Sequence, residues 1–341
     1  MQQLICTATD QIELCDIPIP EIGPGEMLIK MRMCGVCGTD LMKVQYESFA
    51  KPTALGHEVV GCVEQVGEGV TQFQAEQRVA LTHHVPDYAS HFSRHGSESM
   101  DALYQSTNLD PGGFAEYIRL SAHHVNHSVV PIPDHVPDER AVFAEPLCCV
   151  LRGLDRVPVI AGDTVAVVGV GAVGMLFIPL LRDRSAKVVA LDVRQERLDL
   201  AQRWGAATGL LSTNPQTELV GVIKENSQQR GADLVVLTVI NEVTFGLAVE
   251  AVRPGGTILL FGVKPATTLP INIWELWRHE TNLITSYAAT PDTLPKAMAI
   301  LSRPEYTLEE LVSHHFPLSD AIEGFGLMAK GQASKIVIYG N

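Results

Sequence analysis

Nowhere in this 341-residue sequence does an apolar run approach the roughly 20 residues that cross a bilayer, so no membrane partner is expected. The opening Met1-Gln2-Gln3-Leu4-Ile5-Cys6 lacks a basic region followed by an apolar signal core. Cysteine is sparse and odd in number. The seven, at positions 6, 15, 34, 37, 62, 148 and 149, match no disulfide framework and fit a reducing compartment, the cytoplasm by default. Positive charge is short as well: 25 Lys and Arg against 39 Asp and Glu leave a net charge of −14, which repels phosphate backbones and anionic lipid. Nucleic acid is therefore not an expected partner. Internal repeats and low-complexity segments are also missing.

What is present is apolar residue, 46% of the chain, over a length that exceeds one ordinary core and predicts two domains. From Leu4 to about Val130, short apolar runs such as Met27–Met31 and Val59–Gly67 are broken by Gly and Pro, the pattern of antiparallel strands with tight turns. After Pro146 the rhythm changes to strand, helix, strand: Thr164 to Val168, Val173 to about Leu181, Lys187 to Leu191, Gln195 to Trp204. That alternation predicts a parallel sheet covered by helices, so the fold class is α/β. Further strands are expected at 233–237 and 257–261, the latter behind a turn at Arg253-Pro254-Gly255-Gly256. The expected divisions are residues 1–147, 148–288, and a tail, 289–341, too short to fold alone and returning to the first domain.

The first motif with chemistry in it is Gly169-Val170-Gly171-Ala172-Val173-Gly174, directly after an apolar strand and opening a helix. The first glycine permits the turn, the second lets backbone approach a pyrophosphate, and the third lets helix and strand pack; the amides at Ala172 and Val173 face the phosphates. Asp192, at the end of the next strand, would accept hydrogen bonds from the adenosine ribose and repel a 2′-phosphate, so NAD is expected over NADP. Arg194 is a counterweight, because an arginine two residues on can cradle a phosphate. The bland alternative, glycines serving only as turn formers, leaves the strand, helix and acid in their shared context unexplained.

The second motif is a pair of segments. Cys37-Gly38-Thr39-Asp40 and Gly56-His57-Glu58 offer a thiolate, an imidazole and a carboxylate from glycine-flanked loops, and Glu145 in Phe143-Ala144-Glu145-Pro146-Leu147 adds a carboxylate at the junction of the domains. Singly, Cys37 reads as a buried thiol and His57 as a satisfied histidine; together they are the donor set of a catalytic zinc. A bound cation has work to do beside a dinucleotide. Lowering an alcohol's pKa from about 16 to near 7 is worth roughly 12 kcal/mol, after which hydride can pass to the nicotinamide C4. Thr39 would take the departing proton.

These segments, with Gly112-Gly113-Phe114-Ala115-Glu116-Tyr117 and Glu145-Pro146-Leu147, resemble the zinc-dependent medium-chain alcohol dehydrogenases, end to end, in the branch of the sorbitol, threonine and butanediol dehydrogenases. The resemblance implies a GroES-like β-rich catalytic domain, a Rossmann doubly wound domain holding NAD, and a cleft between them for a small-molecule alcohol. It implies zinc on Cys37, His57 and a carboxylate, Glu58 or Glu145, with Thr39 and Glu58 as catalytic residues. Two departures stand out. Where many relatives carry four cysteines for a structural zinc, this chain has Asp87, Ser90, Ser93 and Asp101, so one zinc per chain is expected and no structural metal. Met42 stands where some relatives have a proton-relaying histidine.

Other features read plainly. His83, His84, His91 and His95 are expected as solvated loop histidines, Cys148 and Cys149 as core, and the three tryptophans as packing residues rather than substrate platforms, Trp274 and Trp277 on a segment that in relatives approaches a subunit interface. An edge near Leu283-Ile284-Thr285 that could pair with its own copy suggests a homodimer or homotetramer. The favoured function is an NAD-dependent dehydrogenase for a secondary alcohol: a polyol, sugar alcohol, hydroxy amino acid or aminocyclitol. A catalytically silent dinucleotide-binding relic, or a zinc-independent quinone reductase, would have little use for Cys37, His57, Glu58 and Glu145 together.

Overall fold

Strand Met27–Gly35 is the hub of the first unit in the computed structural model of the protein, which describes residues 1–340. It pairs antiparallel with Glu58–Val66, Tyr117–Leu120 and Lys335–Tyr339 inside a seven-stranded sheet, while Gln11–Asp16, Gln2–Ala8 and Thr53–Ala54 form a separate three-stranded one. Alternate residues Met27, Ile29 and Met31 point into a core with Leu4, Phe114, Ile118, Phe325, Ile336 and Ile338, and the Phe114 and Phe325 rings meet edge to face at 5.6 Å. This unit takes in the chain up to Cys149 and again from Ala288.

The register of that hub positions chemistry. Gly35 lies opposite Glu58 on one side and opposite Val337 on the other, so the segments carrying Cys37, His57 and Lys335 all leave the sheet at the same end. Gly35 has to be glycine for a steric reason: a Cβ there would collide with the Glu58 carboxylate and with the Lys335 side chain.

The second unit, Val150–Tyr287, is built on six parallel strands in the order Thr208–Leu211, Lys187–Asp192, Thr164–Val168, Ala232–Leu237, Val252–Phe261, Asn282–Ser286. Its central strand Thr164–Val168 is buried throughout, as a parallel strand covered on both faces must be. Chain direction around the sheet reverses beside that strand, and in such sheets ligands bind at the carboxyl ends of the strands flanking the reversal. The fold is thus α/β, a β-rich unit followed by a doubly wound unit on a parallel sheet.

Some local expectations differ. Arg253-Pro254-Gly255-Gly256 lies inside strand Val252–Phe261, absorbed by a register shift against Ala232–Leu237. Trp274 and Trp277 are not packed: with Ile273 they stand exposed on the short helix Ile273–Arg278, 61% and 68% accessible, whereas Trp204 is buried. No helix of the described residues is long and apolar enough to cross a membrane.

Candidate metal centre and dinucleotide site

Cys37 is the N-cap of helix Gly38–Gln45, where its sulfur accepts from Thr39 N at 3.5 Å and Asp40 returns the bond by accepting from Cys37 N at 3.1 Å. Asp40 then reaches across the chain. Its other oxygen accepts from Gly56 N at 2.9 Å and lies 3.4 Å from His57 Nδ1, so one buried carboxylate ties both donor segments together. The sequence motif contains Asp40, but nothing in the spacing showed that role. With Nδ1 turned to Asp40, Nε2 is the nitrogen left for a metal, the usual arrangement of a carboxylate behind a ligating imidazole.

Among the described residues, one group of His, Cys, Asp and Glu side chains has ligand atoms close enough to share an ion: Cys37, His57 and Glu58, all within 4.8 Å of one another. Sulfur, nitrogen and oxygen at a site with two buried donors suit zinc and leave a position open for a further ligand. The electrostatics agree. Burial pushes the Asp40 carboxyl up, but His57 beside it outweighs this and holds it at about 2. Burial opposes a charged His57, while Asp40 and Cys37 raise its proton affinity well above the ordinary value, which marks a basic nitrogen that a cation can claim.

Glu145 is adjacent to this group and outside it. Its Oε1 lies 3.7 Å from His83 Nδ1 and accepts from Cys149 Sγ at 3.6 Å. Burial, with Glu58 adding to it, raises its carboxyl to about 7 although His57 opposes the shift, so near neutral pH it can both hold and release a proton. Glu58 is bound elsewhere too: its Oε2 is ion-paired with the buried Lys335 ammonium, which also donates to Val36 O at 3.3 Å. Burial disfavours the Lys335 charge, and Glu58 overcomes it.

Two residues read as bland, Cys149 and His83, and one not singled out in the sequence, Lys335, therefore surround the centre. Cys149 is half-buried against Glu145 rather than plain core, and its thiol is pushed up by burial and by Glu145. His83 is buried, its ring 4.7 Å from that of His57; burial and the neighbouring His84 and His57 hold it well below its ordinary pKa. Lys335 comes from the last strand, 277 residues away from Glu58. Of the other histidines expected as solvated, His91 and His95 are exposed, but His84 is not: it is half-buried, with Nδ1 bonded to Thr107 O and its ring between those of His83 and Tyr104.

In the lobe after Pro86, the four positions that lack cysteine are joined by capping bonds. Asp101 Oδ1 accepts from Asp87 N, Leu103 N and Tyr104 N at 3.0 to 3.1 Å, and Ser90 caps helix His91–Arg94 by accepting from Ser93 N at 3.2 Å.

In the second unit the fingerprint folds as its glycines require. Gly169 takes φ +89°, Gly171 is the N-cap of helix Ala172–Asp183 without any side-chain cap, and a Cβ on Gly174 would collide with Gly169 O. The first amides of a 12-residue helix are thus open to a pyrophosphate. Asp192 is buried at the end of its strand; Oδ2 accepts from Val170 N at 2.9 Å and Oδ1 from Arg194 N at 3.1 Å, which fixes the carboxylate beside the glycine turn. Arg194 extends toward Glu196, 3.9 Å away. The arginine that faces the turn is Arg197: its Nη1 is 3.5 Å from Asp192 Oδ1 and would lie 3.8 Å from a Cβ placed on Gly171, and its buried Nε has no hydrogen-bond partner. An arginine five residues after the strand-end acid was the only sequence signal for it.

Comparison with known proteins agrees with this geometry. Residues 23–134 match the alcohol dehydrogenase GroES-like domain and residues 172–303 the zinc-binding dehydrogenase domain. The chain is 32% identical over 334 residues to an L-threonine 3-dehydrogenase of Caldanaerobacter subterraneus subsp. tengcongensis, spanning 94% of this chain and 93% of that one. It is 30% identical over 322 residues to a D-altritol 5-dehydrogenase of Agrobacterium fabrum, spanning 92% and 91%. An alcohol dehydrogenase of Thermus sp. ATN1 superposes over the whole of both chains with a TM-score of 0.88 at 27% identity. The chain belongs to the zinc-dependent medium-chain dehydrogenase family, in its sorbitol and threonine dehydrogenase-like branch. It is an oxidoreductase whose cofactors are one catalytic zinc and NAD.

Proposed function

We propose that this protein oxidises a secondary alcohol bearing further polar groups, a polyol, sugar alcohol, hydroxy amino acid or aminocyclitol, to the ketone with NAD. The observation that carries the reading is the donor set of half-buried Cys37 with buried His57 and Glu58, in one chain with a glycine turn and Asp192 built for a dinucleotide. Likeness to a threonine and an altritol dehydrogenase supports the polar substrate class. A zinc bound by Cys37, His57 and Glu58 supplies the acidity that lets a hydroxyl lose its proton near neutral pH.

The protein's own groups do the rest. Thr39, half-buried two residues from Cys37, receives the hydroxyl proton; because Met42, three residues on, cannot relay it, solvent takes it onward. Glu145 stands by as an exchangeable ligand. Gly169, Gly171, Ala172, Val173 and Gly174 hold the pyrophosphate, Asp192 and Arg194 flank the adenosine ribose, and Arg197 closes over the turn. The test is a panel of such alcohols with NAD and with NADP, with and without a chelator. Reduced NAD from at least one polar alcohol, abolished by chelation, is expected; no response from any alcohol overturns the reading.

The same reading makes the protein a cytoplasmic homodimer or homotetramer. Seven free cysteines suit a reducing compartment. Strand Asn282–Ser286 is an unpaired edge of the six-stranded sheet, and Trp274, Trp277 and Tyr287 in the same unit are exposed, a combination that favours pairing with a second copy. Light scattering should give two or four times 37.0 kDa, with Trp277→Glu shifting the population toward monomer. A wild type that runs as a 37.0 kDa particle contradicts it.

A further inference from the structure

We propose that His91 and His95 form a second, surface metal site, a two-histidine chelate for a divalent ion of the imidazole-binding class such as zinc or nickel, and that the ion clips the lobe after Pro86. The pair lies in the lobe that lacks the four cysteines, but not at their positions. Ser90 and Asp101, which stand at two of those, have their side-chain oxygens engaged in capping bonds.

His91 opens the one-turn helix His91–Arg94 and His95 ends it, so the two side chains are four residues apart and share a face. Two histidines in that relation supply two of the donors in many zinc sites. Here the rings are already gathered, with centroids 4.2 Å apart and planes tilted by 33°. An ion about 2 Å from one nitrogen of each ring, with the two bonds near a right angle, sets the centroids about 4–5 Å apart, so the chelate closes with little movement. The tautomer is set as well. His95 Nδ1 lies 2.7 Å from His91 O, and a carbonyl can only accept, so in the neutral ring the proton is on Nδ1 and the Nε2 lone pair points away, open to a cation. No hydrogen bond occupies the His91 ring among the described residues, and both side chains are exposed, so water completes the shell of a bound ion.

A second pair with the same spacing shows what sets the first apart. His123 and His127 share helix Ala122–His127 with centroids 4.9 Å apart, but His123 Nε2 bonds Pro86 O at 2.9 Å and the His127 ring packs on that of Tyr88 at 5.0 Å. One nitrogen of that pair is spent on the backbone. The class of ion at His91 and His95 follows from the donors. A net charge of −14 draws any cation toward the surface, yet two imidazoles retain zinc or nickel and pass over magnesium and calcium, which take oxygen. Two protein donors, where the Cys37 cluster offers three, leave most of the shell to water, so this ion exchanges and is lost on desalting while the catalytic zinc stays. Bound, it ties the first residue of the helix to the residue after its last and opposes the opening of a turn too short to persist alone.

The experiment titrates nickel chloride into desalted, zinc-loaded protein by calorimetry, in wild type, His91→Ala, His95→Ala, the double variant and His127→Ala. In parallel, tryptic cleavage after Arg94, which lies between the two histidines, is timed with and without the ion in each protein. Wild type should take up one nickel per chain beyond its zinc. Each single variant should bind it at least about tenfold more weakly and the double variant no more weakly still, because loss of either ring already breaks the chelate. His127→Ala should bind as wild type does. Nickel at ten times its dissociation constant should slow wild-type cleavage about tenfold and leave the rate in either single variant unchanged, and magnesium should do neither. No uptake beyond zinc in wild type, single variants that bind as tightly as wild type, uptake lost with His127 instead, or cleavage slowed equally by magnesium overturns the proposal; the first and last of these need no variant.

Discussion

Cys37→Ala protein should carry well under one zinc per chain and lose at least on the order of 10⁴-fold in alcohol oxidation, while still binding NADH. The magnitude follows from the chemistry. Ionising a hydroxyl near neutral pH without a cation forfeits up to roughly 12 kcal/mol, and the three donors Cys37, His57 and Glu58 include only one sulfur, the softest and strongest of the set for zinc. Cys37 also caps helix Gly38–Gln45, so a structural cause needs separating from a chemical one. Cys37→Ser does this. A serine oxygen can accept from Thr39 N as the sulfur does and keeps the cap, yet it is a poor zinc ligand. Both variants should fail alike in zinc content by metal analysis and in turnover, with NADH affinity from fluorescence within about twofold of wild type because the glycine turn and Asp192 lie in the other unit. A serine variant that keeps its zinc and most of its activity removes Cys37 from the metal centre.

Parts of this architecture could be read directly because the physics behind them is local. Buried parallel strands are continuous apolar runs, so Thr164–Val168 and Lys187–Asp192 announced themselves, and a glycine turn between strand and helix is a contiguous pattern. Cys37, His57 and Glu58 were legible because loops with small neighbours flank all three. What escaped is set by partners distant in sequence. Asp40 became an organiser through Gly56 and His57, 16 and 17 residues on, and its motif says nothing of the turn that brings them back. His83 reads as one of a run of polar loop residues until strand Arg78–Leu81 and the bond from His124 fix it in the interior. The tryptophans at 274 and 277 differ in the opposite sense: aromatic content predicts packing, yet within one chain both stand exposed on a six-residue helix, the segment that the family resemblance places toward a subunit interface. Cys149 differs from Cys148 only by helix face, i+4 from Glu145, a relation visible once the helix Ala144–Asp155 is known to begin where it does.

Replacing Lys335 by methionine should destabilise the metal-free protein by about 3–5 kcal/mol, the usual consequence of leaving one member of a buried ion pair alone. Lys335 and Glu58 have side chains 3% and 1% exposed, so water cannot take the place of the ammonium. A bound zinc would, because Glu58 is one of the three side chains whose ligand atoms lie close enough to share an ion. With the ion bound, the same substitution should therefore cost far less. The two costs and the two metal affinities form one thermodynamic cycle, so whatever stability zinc restores must reappear as tighter zinc binding by the variant. Denaturant titration with and without zinc gives the first pair, and competition against a chromogenic chelator gives the second. A tenfold gain in zinc affinity corresponds to about 1.4 kcal/mol of restored stability. Lys335→Met combined with Glu58→Gln removes both charges and should recover most of the metal-free stability, though not the zinc affinity, since the carboxylate that the ion would bind is gone. If Lys335→Met left zinc affinity unchanged, lysine and metal would not be competing for Glu58, and the carboxylate completing the zinc shell would have to be sought at Glu145.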